Sequence, residues 1–333
     1  MSSEVGAWQG SAEAEEDHLK LTAEENRIIT NRWEQAKASR GRLDGVVEGI
    51  QQNTAESHGS RVVGLEHSLK GLDSFRRKAA VARKADNVSA EETAEYVDDL
   101  NRYTLTFETD KYAEGVKESY AQLREQGYEP VSEINTWDDP VYKGLNTSWR
   151  HSETKEHFEL QFHTPESYQA KSENHELYEL TRSGKFKELA GKDEGLAKQY
   201  KQAADLLQSE RNKIIRIPSG HEEFGERVIR AELNPNVSRE AVRVVQEKEA
   251  GLKAKHAAEA AARAQPRAQA QSQARLQADA SALDMGSPLR TQSPELRNRL
   301  DTKTLPRQAR QDSEAVREEP LPARSRGRGP SLG

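Results

Sequence analysis

The sequence predicts an α+β fold, a small mixed or antiparallel sheet covered by helices. Two observations carry this. Short strand-like runs with alternating or β-rich composition, such as Phe158-Glu-Leu-Gln-Phe-His163, lie between amphipathic helical segments in the middle of the chain. The aromatic residues concentrate in the same region, whereas the last 83 residues hold no Phe, Trp, Tyr or Ile and a single valine, Val316. A third observation bounds the domain. Hydrophobic residues are 34% and charged residues 32% of 333. So polar a chain cannot offset about 1–2 kcal/mol of ordering entropy per residue along its whole length.

The expected organisation is a disordered acidic tail over 1–20, a helical region over 21–59, one folded domain over 60–215, a helical extension over 216–256, and a mostly disordered Ala/Gln/Arg/Pro-rich tail over 257–333. Part of that tail, 257–280, has helical composition interrupted at Pro266, and the Arg-rich end from Arg324 reads as a solvated basic tail. No apolar run approaches the roughly 18 residues of a membrane span. The first residues lack a basic stretch followed by an apolar one, so a cytoplasmic protein, or one delivered by a non-Sec route, is expected. The absence of cysteine excludes disulfides, thiol catalysis and Cys-ligated metals. A net charge of -6 gives no bulk attraction to polyanions.

The elements follow in order. Thr22 and Glu25 form a capping box at a helix start. The stripe Ile29, Trp33, Ala36, Leu43, Val47 and Ile50 gives that helix one buried face. Arg61–Ala85 reads as a basic helix, and Ser89 with Glu92 caps another, ending near Asp99. Tyr103–Phe107 is the first strand candidate, Lys111–Glu125 an amphipathic helix closed by Gly127, and Tyr128–Ile134 a second strand. Leu145–Trp149 and Phe158–His163 complete the sheet. Helices resume over Pro165–Arg182 and Leu189–Glu210. Trp137 and Trp149 are expected in the core.

The chemistry is sought on the last strand. Glu159, Gln161 and His163 share one face, opposite Phe158, Leu160 and Phe162. Alternation alone describes a sheet with one side in water. Three neighbours add a second reading: the loop Tyr142-Lys-Gly-Leu-Asn146, the pair Asp98-Asp99 before the first strand, and a basic helix with Lys70, Arg76, Arg77, Lys78 and Lys84. Carboxylates beside a basic helix suit phosphoryl transfer. Mg²⁺ takes one or two carboxylates plus substrate phosphate oxygens, and cations neutralise the reacting phosphates.

Four blocks, in order, resemble the RelA/SpoT-like nucleotide pyrophosphokinases, and among them the small alarmone synthetases, in a divergent toxin-like branch. Leu69–Lys78 resembles the family's ATP-binding stretch, Val97-Asp-Asp-Leu100 its Asp block, Tyr142–Asn146 its Tyr-Arg-Gly/Ser-Leu/Ile-His loop, and Phe158–Thr164 its Glu-Val/Leu-Gln-Ile-Arg-Thr strand. The resemblance covers about 65–185 and implies a nucleotidyltransferase-like domain. It also implies transfer of the β,γ-pyrophosphate of ATP to a ribose hydroxyl, as in guanosine tetraphosphate metabolism. Lys70, Ser74, Arg76, Arg77 and Lys78 would bind ATP. Asp99 and Glu159 would hold Mg²⁺, with Glu159 also placed to activate the acceptor hydroxyl. Tyr142 would stack on the acceptor base, with Lys143, Asn146, Gln161 and His163 around it.

This chain departs from the pattern at Ser68, Thr104, Asn146 and His163, where the family carries Arg, Arg, His and Arg. A guanine nucleotide, an adenine nucleotide and a tRNA end all remain open as acceptors, and a toxin would imply a neutralising antitoxin or immunity protein. Asp98 is the rival of Asp99. No His-Asp pair of a hydrolase precedes the domain, so synthesis without hydrolysis is expected. The alternative is a catalytically degenerate binding or structural module of the same fold.

Overall fold

A computed structural model describes residues 5–11, 16 and 18–284. It divides the chain into two units, 1–268 and 269–333. In the second, only the backbone of 269–284 is described, as helix. The expectations of disorder from residue 286 and of a basic tail at Arg324 lie outside the described residues.

The fold is α+β. Helix α1 (Ala23–His58) opens with the expected capping box: Thr22 accepts from the Glu25 amide and Glu25 accepts from the Thr22 amide. Ile29, Ala36, Leu43, Val47 and Ile50 of the sequence stripe are buried, joined by Asn26 and Thr54. Two short strands precede α1, β1 (Trp8–Gln9) and β2 (Lys20–Leu21), paired antiparallel. For the described residues of 1–20 this corrects the expectation of a disordered tail. Leu19 and Leu21 are buried, and Trp8 packs with them against Ile29, Phe75 and Ala79, so a few apolar residues anchor a polar segment.

The expected basic helix over Arg61–Ala85 is shorter. Strand β3 (Arg61–Val62) and a single 3₁₀ turn (Leu65–His67) come first, and α2 runs Leu72–Asp86. Gly64, at φ 67°, and Gly71 interrupt helical propagation, as their low helix propensity allows. Then come α3 (Ala90–Tyr96), with its Ser89–Glu92 box, β4 (Arg102–Thr106), α4 (Tyr112–Glu125), β5 (Tyr128–Asn135), β6 (Leu145–His151) and β7 (His157–His163). Gly127, at φ 82°, follows α4 as the residue that leaves the helix. The helices α5 (Pro165–Glu173), α6 (His175–Arg182), α7 (Lys185–Ala190) and α8 (Glu194–Asn212) replace the two continuous ones expected.

Of the helical extension expected over 216–256, the part over 216–238 is not α-helical. A 3₁₀ turn (His221–Glu223) and strand β8 (Glu226–Arg227) stand there, where Pro218, Gly220, Gly225 and Pro235 disfavour a helix. Helix α9 (Arg239–Asp284) then runs without a break through Pro266, where an interruption was expected. Proline removes one backbone donor, which a long Ala-rich helix survives.

The main sheet has six strands in the order β3-β4-β7-β6-β5-β8. It is mixed: β4 pairs β7 parallel, β7–β6 and β6–β5 are antiparallel, and β8 pairs β5 parallel. Phe158, Leu160 and Phe162 of β7 are fully buried with Tyr103, Leu105, Phe107, Tyr112, Trp137 and Trp149 in the principal core. Trp137 donates its indole N–H to the Tyr112 hydroxyl, which donates to the Phe162 carbonyl. Both tryptophans are structural, as expected. Among the described residues, no helix is long and apolar enough to cross a membrane.

Candidate active site

The opposite face of β4, β7 and β6 carries Arg102 and Thr104, then Glu159, Gln161 and His163, then Asn146 and Ser148. The registers Arg102↔Glu159, Thr104↔Gln161, Asn146↔Gln161 and Ser148↔Glu159 bring them side by side. This is no solvated sheet face. Gln161 is 5% exposed and His163 fully buried, because α5 and the 139–144 loop cover them.

Helix α1 organises the cationic side of the site. Arg40 donates to the Ser68 hydroxyl and to the Leu65 carbonyl, and the Trp33 indole donates to the Lys70 carbonyl at 2.7 Å. The strapped segment then pairs with the entry to β4 through Lys70 N–H to Leu100 O and Arg102 N–H to Ser68 O, both 2.8 Å. Lys70 therefore meets Asp99, at 2.5 Å. Lys78, from the second turn of α2, reaches its other oxygen at 2.9 Å. Burial alone would raise the Asp99 pKa, but the two ammonium groups outweigh it and hold the carboxyl down at about 2.

Glu159 responds the other way. Burial raises its pKa. Arg102 and the Gln161 amide oppose that rise, while Asp99 and Asp98 add to it, and the net shift is upward. Asp98 accepts a 2.6 Å hydrogen bond from Ser148, so both aspartates stand close enough to act on Glu159. Among the described residues, no group of three His, Cys, Asp or Glu side chains is arranged to hold a metal ion. Asp98 and Asp99 both act on Glu159, and carboxylate oxygens are the donors a hard divalent cation takes one or two at a time beside water and phosphate oxygens.

The acceptor-side residues form a chain. The Tyr142 hydroxyl donates to Asn146 Oδ1 at 2.9 Å and contacts His163 Nε2 at 3.1 Å, and His163 Nδ1 meets the Ser167 hydroxyl at 2.9 Å. Burial, reinforced by the Lys171 charge, pushes the His163 pKa well below the ordinary value, so the ring is neutral. Burial and the nearby Glu159 charge push the Tyr142 hydroxyl upward.

Not every expected residue joins the site. Arg76 turns to Asn26, Thr30 and Asp73, where it ties α2 to α1, and Arg77 pairs with Glu16. Lys143 donates to the carbonyls of Trp137 and Asp139, each at 2.9 Å, and closes its own loop. Ser74, one turn before Lys78 on α2, is exposed.

Conversely, Lys171 of α5 enters the site unannounced. Its ammonium donates to Gln161 Oε1, and burial, with repulsion from Arg102, lowers its pKa to about 8. Ser167 and Lys171 lie one turn apart and both reach the sheet, so helical spacing was the signal that marks the pair. Arg182 of α6, paired with Glu179, also senses Asp99. Asn212 at the end of α8 holds the loop before Tyr142 through the carbonyls of Pro140 and Val141.

No protein-family model matches the sequence. No curated protein matches it either. Solved structures to which the chain is similar include small alarmone synthetase 1 from Bacillus subtilis, at 15% identity and TM-score 0.36, over 54% of this chain and 92% of that one. The same Bacillus subtilis synthetase bound to its product pppGpp is similar at 14% identity and TM-score 0.34, over 55% and 97%. A GTP pyrophosphokinase family protein from Streptococcus pneumoniae is similar at 12% identity and TM-score 0.35, over 53% and 84%.

Proposed function

We propose that the chain is a Mg²⁺-dependent pyrophosphokinase that moves the β,γ-pyrophosphate of ATP to a ribose hydroxyl of a nucleotide or of a tRNA end. The observation that carries this is Asp99 held between Lys70 and Lys78 beside Glu159, whose proton affinity is raised. The two lysines would grip the triphosphate, each exchanging a carboxylate oxygen of Asp99 for a phosphate oxygen.

Bound Mg²⁺, held by Asp99 and Glu159, would neutralise charge on the reacting phosphates. The remaining roles belong to the chain's own groups. Arg102 and Lys171 supply positive charge beside Glu159, Tyr142 offers a ring fixed by Asn146 and His163, and an upward-shifted Glu159 is suited to take a proton from an attacking hydroxyl. The class of acceptor and a role as a toxin, with an antitoxin or immunity partner, are further parts of the proposal.

The test is transfer from β- and γ-labelled ATP with Mg²⁺ to GDP, GTP, AMP, ADP, ATP and tRNA. Label on one acceptor establishes both reaction and substrate. Absence of transfer to all of them, with nucleotide still bound, supports the second reading, a degenerate binding module. That reading draws on both Asp99 oxygens already being engaged by lysines. Growth arrest on expression, relieved by Glu159→Gln, tests the toxin role.

A further inference from the structure

The Gln161 amide lies between two groups that cannot both face the same end of it. A carboxamide presents an acceptor oxygen on one side and a donor NH₂ on the other. An ammonium has only protons to give, so the end facing Lys171 is the oxygen, and Gln161 Oε1 accepts from it. Thr104 Oγ1, across the parallel β4–β7 register, approaches the same oxygen at 3.4 Å. The NH₂ end is thereby turned to Glu159, and Gln161 Nε2 donates to Glu159 Oε1. Turned over, the amide would place its oxygen against the Glu159 carboxylate and its NH₂ against an ammonium, two repulsions in a buried site.

The Lys171 ammonium bonds the Gln161 amide, and the Glu159 carboxylate lies near enough to act on it. Lys171 comes from α5, whose start is locked to β7 by the Thr164–Ser167 capping box and by the Ser167–His163 contact.

We infer that Lys171 is a positioning residue: it fixes the orientation of the Gln161 amide, which holds one oxygen of Glu159 and leaves the other for the acceptor hydroxyl. This deepens the pyrophosphokinase reading and rests on it for its kinetic consequence, but the amide lock itself does not depend on turnover.

The experiment compares the full-length wild type with Lys171→Met, Lys171→Arg, Gln161→Leu and the double variant Lys171→Met/Gln161→Leu, each checked for an unchanged thermal melt. Two readouts are taken: kcat and KM for ATP in the labelled transfer assay, and the side-chain amide resonance of Gln161 by nitrogen-15 NMR without substrate. The expected result is a kcat lower by about 10–100-fold in Lys171→Met, a modest share of what a positioned general base supplies. KM for ATP should stay within about twofold, since the lysine is not asked to bind ATP. Lys171→Arg should recover most of the rate. The double variant should be no slower than Gln161→Leu, because a residue acting only through another adds nothing once that one is gone. The Gln161 resonance should move in Lys171→Met.

A kcat within twofold of wild type in Lys171→Met, or a double variant whose losses multiply, overturns the inference. If the wild type transfers nothing, the pyrophosphokinase reading fails and the resonance decides alone: unmoved by Lys171→Met, it overturns the lock; moved, it supports the lock.

Discussion

Replacing Asp99 by Asn tests the cationic clamp through stability as well as activity. The folded carboxyl titrates at about 2 against an ordinary value of 3.8, because Lys70 and Lys78 overcome its burial. Its side chain is 17% exposed, and that of Lys70 21%, so solvent screens the cluster only in part. A downward shift of that size corresponds to roughly 2 kcal/mol at 1.36 kcal/mol per unit.

The sign is that of a depressed acid: the contribution is complete above the unfolded value near 4 and is lost as pH falls toward 2. Asp99→Asn should therefore lower the unfolding free energy by about 2 kcal/mol at pH 7, and the gap to wild type should close between about pH 4 and 2. Urea unfolding followed by circular dichroism over pH 2–7 measures it. A gap that stays constant with pH, or an equal stability at pH 7, refutes the clamp. Transfer activity should be lost at every pH.

Glu159→Gln should abolish transfer, a loss of at least about 100-fold for a general base. Because burial raises this acid's folded pKa, the charged form costs stability at neutral pH, so the variant should melt higher than wild type at pH 7. Gly144→Ala would set a Cβ 2.6 Å from His163 Cε1 in a fully buried ring, and should cost about 1–3 kcal/mol in denaturant unfolding and disturb Tyr142. Trp33→Phe removes the indole donor to the Lys70 carbonyl; a loss of about 0.5–1.5 kcal/mol is expected, with a raised KM for ATP where kcat changes little.

What local chemistry dictates was legible in the sequence. The capping boxes at Thr22 and Ser89, the buried stripe of α1 and the two-faced β7 depend on residues within a few positions of one another, and each appears where spacing put it. The opposed faces of β7 made Glu159, Gln161 and His163 neighbours without any knowledge of the sheet. Lys70 and Lys78 were marked for ATP and Asp99 for the metal, and the structure pairs both lysines with that aspartate. Of the five residues marked for the acceptor, Tyr142, Asn146 and His163 form one bonded chain, while Gln161 bonds Glu159 and Lys171, and Lys143 turns to its own loop.

Only the tertiary structure decided which charges were spent elsewhere. Arg76, Arg77 and Lys143 carry the same charge as Lys70 and Lys78, but α1, Glu16 and two loop carbonyls claim them, through contacts up to 61 residues apart in sequence. It also decided that the polar face is buried, since α5 and the 139–144 loop cover it. It brought in Lys171, and it packed Trp8 and Leu19 in a segment whose composition predicts no order. Periodicity reports which residues share a face. Which face meets water, and which cation finds a carboxylate there, is set by non-local packing that no local spacing encodes.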